Sequence, residues 1–413
     1  MFTNNGGTVN GGFGGNTQFS DTSNAGSGTF VNNGGQVSGA QNGETGFFNS
    51  SSASNGTFIN NGSTVSGALG GVTRISQTAS AGSATLIANG STGGGVGGGI
   101  RFLVDSTGGT SRVEVFGDGF LAIDQHNAPG VTIGSLEGTG AVLLGGNTLT
   151  VGSNNLTTTF SGSATGSGGL TKIGTGTLTL SGLSNYTGAT TVNNGTLTID
   201  NNNTTIQRLP LTSSIAVNSG GTLLLAQSGS ASTDRINNNA GVTLAGGGTF
   251  QTGGLSEGIR PTNSGASNGV AGLGALTLQS TTSLLHATID FGSGANGSSL
   301  VFSSLVGGNG AFLDIKNWTG TPFTDNSATG NDRLLFGIDP GLTAAQLANV
   351  RFFDDSGAFI GAGEIIGYGN MFELVAVPEP STWLAAALAL GAIGFSQRKR
   401  LRARTSFAVK KHF

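Results

Sequence analysis

The sequence predicts an all-β protein: a parallel β-helix or β-solenoid body followed by a single short C-terminal transmembrane helix. Three observations carry this. Residues 1–99 repeat with one fixed period, the middle of the chain alternates apolar and polar residues between glycines, and residues 377–413 read as a proline-marked segment, an apolar stretch and a basic cluster. A chain of 413 residues has room for two or three domains. Yet 77 glycines with only 9% charged residues is unusual for a compact enzyme. Disorder pairs high charge with few apolar residues, whereas 36% of this chain is hydrophobic. With only 7 prolines and no Gly-X-Y period, collagen is excluded. A β repeat protein with many tight turns remains.

The strings FTNNGGTV, FVNNGGQV and FINNGSTV begin at Phe2, Phe30 and Phe58, a step of 28 residues, and a degraded copy begins at Leu86. Two more apolar columns keep the step: Phe19, Phe47, Ile75 and Leu103, and Val9, Val37 and Val65. Each column places one apolar residue at the same point of successive turns, so stacked coils bury the columns against each other. The Asn-Asn-Gly steps supply left-handed backbone for corners, and asparagine side chains can ladder from coil to coil. Residues 1–99 are assigned to these repeats and 100–168 to their continuation. Met1 aligns with Thr29, Thr57 and Thr85, so the chain starts inside a repeat, with neither a basic start nor an apolar run before Phe2. The reading therefore expects coding sequence upstream of Met1.

Residues 169–199 read GLTKIGTGTLTLSGLSNYTGATTVNNGTLTI. The alternation in Thr177–Leu180 and Thr196–Ile199 has period two, the mark of strands with one buried face. Burying each Leu or Ile contributes roughly 1.5–3 kcal/mol. The spacing of Gly169, Leu170, Lys172, Gly174, Gly176, Leu178, Leu180, Asn185, Tyr186, Gly188 and Gly195 resembles the autotransporter-associated β-strand repeat, also called the passenger-associated transport repeat. That family builds parallel β-helical passengers, so the resemblance implies the same fold for residues 169–200. Autotransporters end in a membrane β-barrel of alternating strands; this chain ends instead in an apolar segment and a basic tail.

Residues 201–376 continue the strand-and-turn style, as in Gly221–Leu225 and Gly241–Leu244. One helix is predicted over Thr343–Val350, with Thr343 as its N-cap, beside a strand at Arg351–Phe353. The richer aromatic and acidic content of 300–376 predicts a closing cap for the solenoid.

Val377-Pro378-Glu379-Pro380-Ser381 precedes an uncharged stretch from Trp383 to Phe395 and then Arg398, Lys399 and Arg400. The prolines keep the pentapeptide extended and accessible. As a helix the apolar stretch spans about 20 Å, short of a hydrocarbon core of about 30 Å, and snorkelling arginines with local thinning absorb the mismatch. Basic residues stay cytoplasmic, so Arg398, Lys399 and Arg400 form the membrane stop and the body faces outward. This order resembles the bacterial PEP-CTERM sorting signal. The resemblance implies export, an exosortase-type processing enzyme as partner, and cleavage that releases or re-anchors the protein.

Chemistry is sparse. The absence of cysteine removes disulfides, thiolates and Cys-ligated metals together. His126, His286 and His412 are the only histidines and lie far apart. Gly254-Leu255-Ser256-Glu257-Gly258 matches G-x-S-x-G but lacks the α/β surroundings of a nucleophile elbow, so it reads as a turn. Gly307–Gly310 begins like a calcium nonapeptide, but Phe312 stands where the ligand belongs. The Gly93–Gly99 stretch reads as a loop. The tail, residues 397–413, concentrates basic residues and holds no Asp or Glu, which leaves an acidic body with no nucleic-acid face. No catalytic residue, cofactor or metal is assigned. The function predicted is a non-enzymatic structural or adhesive protein of the cell surface or extracellular matrix, binding exopolysaccharide or matrix glycans weakly and many times over. The alternatives are a β-helix polysaccharide lyase or hydrolase using Asp354 and Asp355, or Glu114 with Asp118, and an ice-binding protein using Thr177, Thr179, Thr196 and Thr198.

Overall fold

The structure is a computed structural model that describes residues 1–201, 207–229, 234–258, 272–293, 297–307, 311–324, 330–368 and 370–378. Its body is a stack of parallel coils. The long sheet starts at Phe2–Asn4 and takes one strand from each coil, in parallel, as far as Val350–Phe353. A second sheet of eight strands runs from Asn16–Phe19 to Asn185–Tyr186, and a third, also of eight strands, from Gly130–Ile133 to Leu305–Gly307. Every neighbour pair within these two sheets is parallel, as a β-helix requires.

The register realises the predicted period. Phe2, Phe30, Phe58 and Leu86 are direct partners on successive coils. Their rings stack, with centroids 4.9 Å apart for Phe2–Phe30 and 5.0 Å for Phe30–Phe58. Phe19 and Phe47 stack likewise at 4.8 Å, and the two ring columns meet edge to face, as at Phe47–Phe58. Offset and edge contacts of this kind add stability beyond the area they bury.

A buried asparagine, Asn4, Asn32 or Asn60, follows the inward phenylalanine on each of these coils. The Asn4 Nδ2 donates to Asn32 Oδ1 at 2.9 Å, and the Asn32 Nδ2 to Asn60 Oδ1 at 2.8 Å. Each acceptor also takes a threonine hydroxyl from the second sheet, as from Thr45 to Asn32 and Thr73 to Asn60. A second ladder runs beside it through Asn5, Asn33, Asn61 and Asn89. Buried amides are thus paired along the stack, where an unpaired one would be costly.

Three expectations need correction. The partner of Ile75 is Phe102, not Leu103. The Gly-rich turn before it makes that coil one residue shorter, which shifts the column and leaves Leu103 half-buried. The Val9, Val37 and Val65 column is not core: Val9 is 63% exposed, and Ala40 and Ala68 are buried instead. Each valine carbonyl accepts from the residue three positions on, which makes it the first residue of a tight turn with its side chain outward. The left-handed residue of that turn is glycine, with φ of +75° at Gly39 and +76° at Gly67. The Asn-Asn-Gly glycines serve close approach, since a Cβ at Gly34 would stand 2.6 Å from Ser63 Cα of the next coil.

Coils shorten through the middle of the stack, where hydrogen-bonded partners lie only 20 residues apart. Smaller aliphatic side chains match the narrower bore: Leu178, Leu180, Val192, Leu197 and Ile199 are all buried. Near the far end the parallel ladder gives way to antiparallel strands. Phe359–Tyr368 pairs with both Val350–Phe353 and Met371–Val377, and Met371–Val377 also pairs with Arg333–Phe336. The helix is a single turn, Ala344–Leu347, with a complete capping box between Thr343 and Gln346. Among the described residues no helix is long and apolar enough to cross a membrane. The transmembrane segment predicted over Trp383–Phe395 lies outside them.

Candidate functional site

The outward side chains of the second sheet form the floor of a groove of about 440 Å³ that crosses the coils. Glu44, Val72, Gly99 and Phe120 are partners in one outward row, and Gly46, Arg74 and Arg101 in the next. Arg74 is held by Glu44, Nε to Oε1 3.0 Å. The Arg101 guanidinium lies over the Phe120 ring, 4.9 Å from its centroid. The turns between the long and second sheets raise an apolar rim of Phe13, Leu69 and Val96, with Phe13 90% exposed. This groove was not legible in the sequence, because its members form a row only once the coils are stacked.

Within the passenger-type repeat, Lys172 points inward. Its Nζ donates to the carbonyls of Ile173 at 2.6 Å, Gly174 at 2.9 Å and Asn194 at 3.3 Å. The lysine thus clamps a corner of its own coil to the same corner of the next, and burial lowers its ammonium to about 8. The phenol of Tyr186, buried and hydrogen-bonded with Thr190, is pushed well above its ordinary value by burial. Motif matching noted both positions; their roles needed the coil closed in space.

Of the acidic residues considered for catalysis, Asp354, Glu114 and Asp118 are engaged locally and Asp355 is exposed on the turn beside Asp354. Asp354 accepts from the Ser356 hydroxyl at 2.6 Å and from the Ser356 and Ala358 amides, and these bonds hold its carboxyl below the usual range. Glu114 pairs with Arg112 at 3.1 Å, and burial pushes its carboxyl up. Asp118 accepts from the Ser91 hydroxyl at 2.8 Å. His126 places its ring nitrogens against the carbonyls of Ser106 and Asn127, and His286 meets Asp314 at 2.9 Å beside the bidentate Arg351. Among the described residues no three metal-ligating side chains converge.

In the G-x-S-x-G stretch the Ser256 hydroxyl accepts from the Ser299 amide at 3.0 Å, and Glu257 turns into the core. There it accepts from the backbone amides of Arg235 and Ile236 and from the Arg235 guanidinium. Both side chains of this ion pair are fully buried, and the sequence did not reveal it.

The sorting motif starts at the end of the last strand. Val377 pairs with Ala362, and Pro378, lacking an amide proton, cannot extend the ladder. Glu379, Pro380, Ser381, Arg398, Lys399 and Arg400 lie outside the described residues.

Comparison with known proteins accords with this arrangement. Residues 170–199 match the family model of the passenger-associated-transport-repeat, and residues 376–400 that of the PEP-CTERM protein-sorting motif. The chain is also similar to the adhesin BmaC autotransporter of Brucella suis biovar 1 (strain 1330), with 30% identity over 58% of this chain. The match spans 7% of that much longer relative. The chain is therefore a protein of parallel β-coils with a passenger-associated-transport-repeat in its middle and a PEP-CTERM protein-sorting motif in its C-terminal region.

Proposed function

We propose that this chain is an exported structural and adhesive protein of the cell surface or extracellular matrix, directed there by its PEP-CTERM signal and processed by an exosortase-type enzyme. The observation that carries the reading is the direct passage from a β-helical body with a passenger-type repeat into a sorting motif at Val377. Similarity to an adhesin supports it. Residues 1–99, 100–168 and 169–200 form the displayed solenoid. Residues 201–376 continue it and close it, with the antiparallel strands covering an edge that would otherwise template aggregation. Residues 377–413 are the address: the pentapeptide Val377–Ser381 for recognition, Trp383–Phe395 for transient membrane anchorage, and Arg398, Lys399 and Arg400 as the cytoplasmic stop. The partners are the processing enzyme, the membrane and matrix glycans.

Replacing Pro378, Glu379 and Pro380 by alanine in the producing bacterium tests the address. The wild-type protein reaches the surface or medium without peptides beyond Phe395, and the variant stays in the membrane with them. Identical fractionation of the two overturns the proposal.

A second reading, ice binding, gains little from Thr177, Thr179, Thr196 and Thr198, which pair in register but with Thr198 buried; it is favoured by another row. Thr132, Thr150, Thr171, Thr191, Ala216, Thr243 and Thr277 are partners in register on the outer face of the third sheet. Their methyls recur at the strand spacing of about 4.8 Å, and their hydroxyls do so at every position but Ala216. Thermal hysteresis of the purified chain, abolished by Thr171→Lys, is the expected result on that reading; its absence removes it.

A further inference from the structure

We propose that the groove across the second sheet binds a strand of acidic polysaccharide, with Arg101 as the carboxylate contact and Phe120 as the platform beside it. This deepens the adhesive reading and rests on it.

Charge points to the ligand first. Arg74 and Arg101 are direct partners on neighbouring coils, and like charges placed opposite each other destabilise a sheet. Glu44 offsets one of them. Among the described residues no carboxylate lies within ion-pair distance of Arg101. The groove therefore holds one uncompensated guanidinium on a body that is otherwise acidic. A guanidinium fork matches a carboxylate with two parallel hydrogen bonds, and stacking on an aromatic ring leaves its donor edge free.

The walls point to a sugar. Phe13, Leu69 and Val96 stand outward along one rim at 90%, 39% and 43% exposure, and the folded core gains nothing from them there. Apolar faces flanking a few directed polar groups are what an amphipathic ring needs: its C–H face packs while its substituents hydrogen-bond. The groove crosses the coils, so a linear polymer in it meets a new coil about every 4.8 Å, close to the advance of one pyranose residue. Contacts of modest strength then repeat along the strand.

An acidic peptide fits less well. Extended peptides gain affinity by adding to a free strand edge, and the strands that carry Arg74, Arg101 and Phe120 are paired on both sides, as Val72–Ile75 is with Glu44–Phe47 and with Gly99–Phe102; the free edge is that of Asn16–Phe19, at the end of the sheet away from Arg101.

The test uses the full chain, with polygalacturonate, dextran and polyglutamate as probes in affinity electrophoresis. The expected result is retardation by polygalacturonate that weakens with added salt, with little by dextran or polyglutamate. Arg101→Gln lowers the affinity at least tenfold and Phe120→Leu lowers it severalfold. Arg112→Gln, which removes the same charge outside the groove, leaves it unchanged. Matching circular dichroism and melting temperatures confirm that the variants fold. Equal retardation of R101Q and R112Q overturns the proposal, as does stronger binding of polyglutamate than of polygalacturonate, or no retardation of the wild type. Attachment of producing cells to their matrix separates the two claims. If wild type and R101Q attach cells equally, the groove assignment falls and the surface reading stands; if the wild type confers no attachment, the reading falls with it.

Discussion

The guanidinium of Arg235 lies 3.4 Å from the carboxylate of Glu257, and neither side chain has any solvent exposure. Two charges taken out of water at this depth are tolerated because each guanidinium nitrogen is hydrogen-bonded: Arg235 also donates to Ala226, Ser256 and Gln227. Removing one partner strands the other. Arg235→Ala is therefore expected to cost about 3–5 kcal/mol, read as loss of amide-exchange protection at Ile236, whose N–H donates to Glu257. Burial pushes the Glu257 carboxyl up to about 7 against the pull of Arg235. From about 4.5 to about 7 the folded chain keeps a proton that the unfolded chain has released, so the stability of this region falls as pH rises through that window. Glu257→Gln should flatten the slope; an unchanged slope in E257Q would assign it elsewhere.

Lys172 has the opposite sign. Burial lowers its ammonium to about 8 from 10.5, so between those values the unfolded chain binds the proton and the folded chain does not. Stability of the passenger-type coils should rise with pH across that window. Lys172→Met removes the rise and leaves the carbonyls of Ile173, Gly174 and Asn194 without their donor, at a cost of about 2–4 kcal/mol. Denaturant titrations at pH 8 and pH 10.5 measure both effects.

The buried asparagines act as a chain. Asn32 accepts from Asn4 and Thr45 and donates to Asn60. Asn32→Leu should destabilise by about 2–3 kcal/mol, since it leaves buried partners unsatisfied. Adding Asn60→Leu should cost less than a second independent loss, because the broken bond is shared. A double-mutant cycle on melting free energies tests this; strict additivity would mean the amides act singly.

Asp21, Asn49, Gln77 and Val104 occupy one corner on successive coils, all left-handed, with φ of 56°, 54°, 58° and 60°. A β-branched residue is poorly suited to that conformation. Val104→Asn should therefore raise stability by about 1 kcal/mol, seen as a higher melting temperature with unchanged circular dichroism.

Much of the architecture was legible in the sequence. The Phe2, Phe30, Phe58 and Leu86 column, the asparagine ladder, the alternating strands of 169–199 and the Thr343 cap all stand in the structure. Each depends on a local pattern or on a period that the coil preserves. Period alone, however, does not tell inside from outside. Val37 repeats as faithfully as Phe30, yet it heads a turn with its side chain outward, and only the left-handed glycine two positions later marks it. Leu103 was misplaced because one residue missing from a coil moves every later partner. Lys172 and the Arg235–Glu257 pair were hidden for another reason. A buried charge is recognised by what surrounds it, and its surroundings come from coils more than 20 residues away in the chain.

The side-by-side identity of the early coils bears on how such a protein changes length. Phe30 meets the same residue type in Phe2 on one side and Phe58 on the other, and Asn32 meets Asn4 and Asn60 in the same way. A gene duplication of one such 28-residue unit would present each neighbour with the surface it already packs against. Reach from the cell could thus lengthen or shorten by whole units, without a new interior evolving each time.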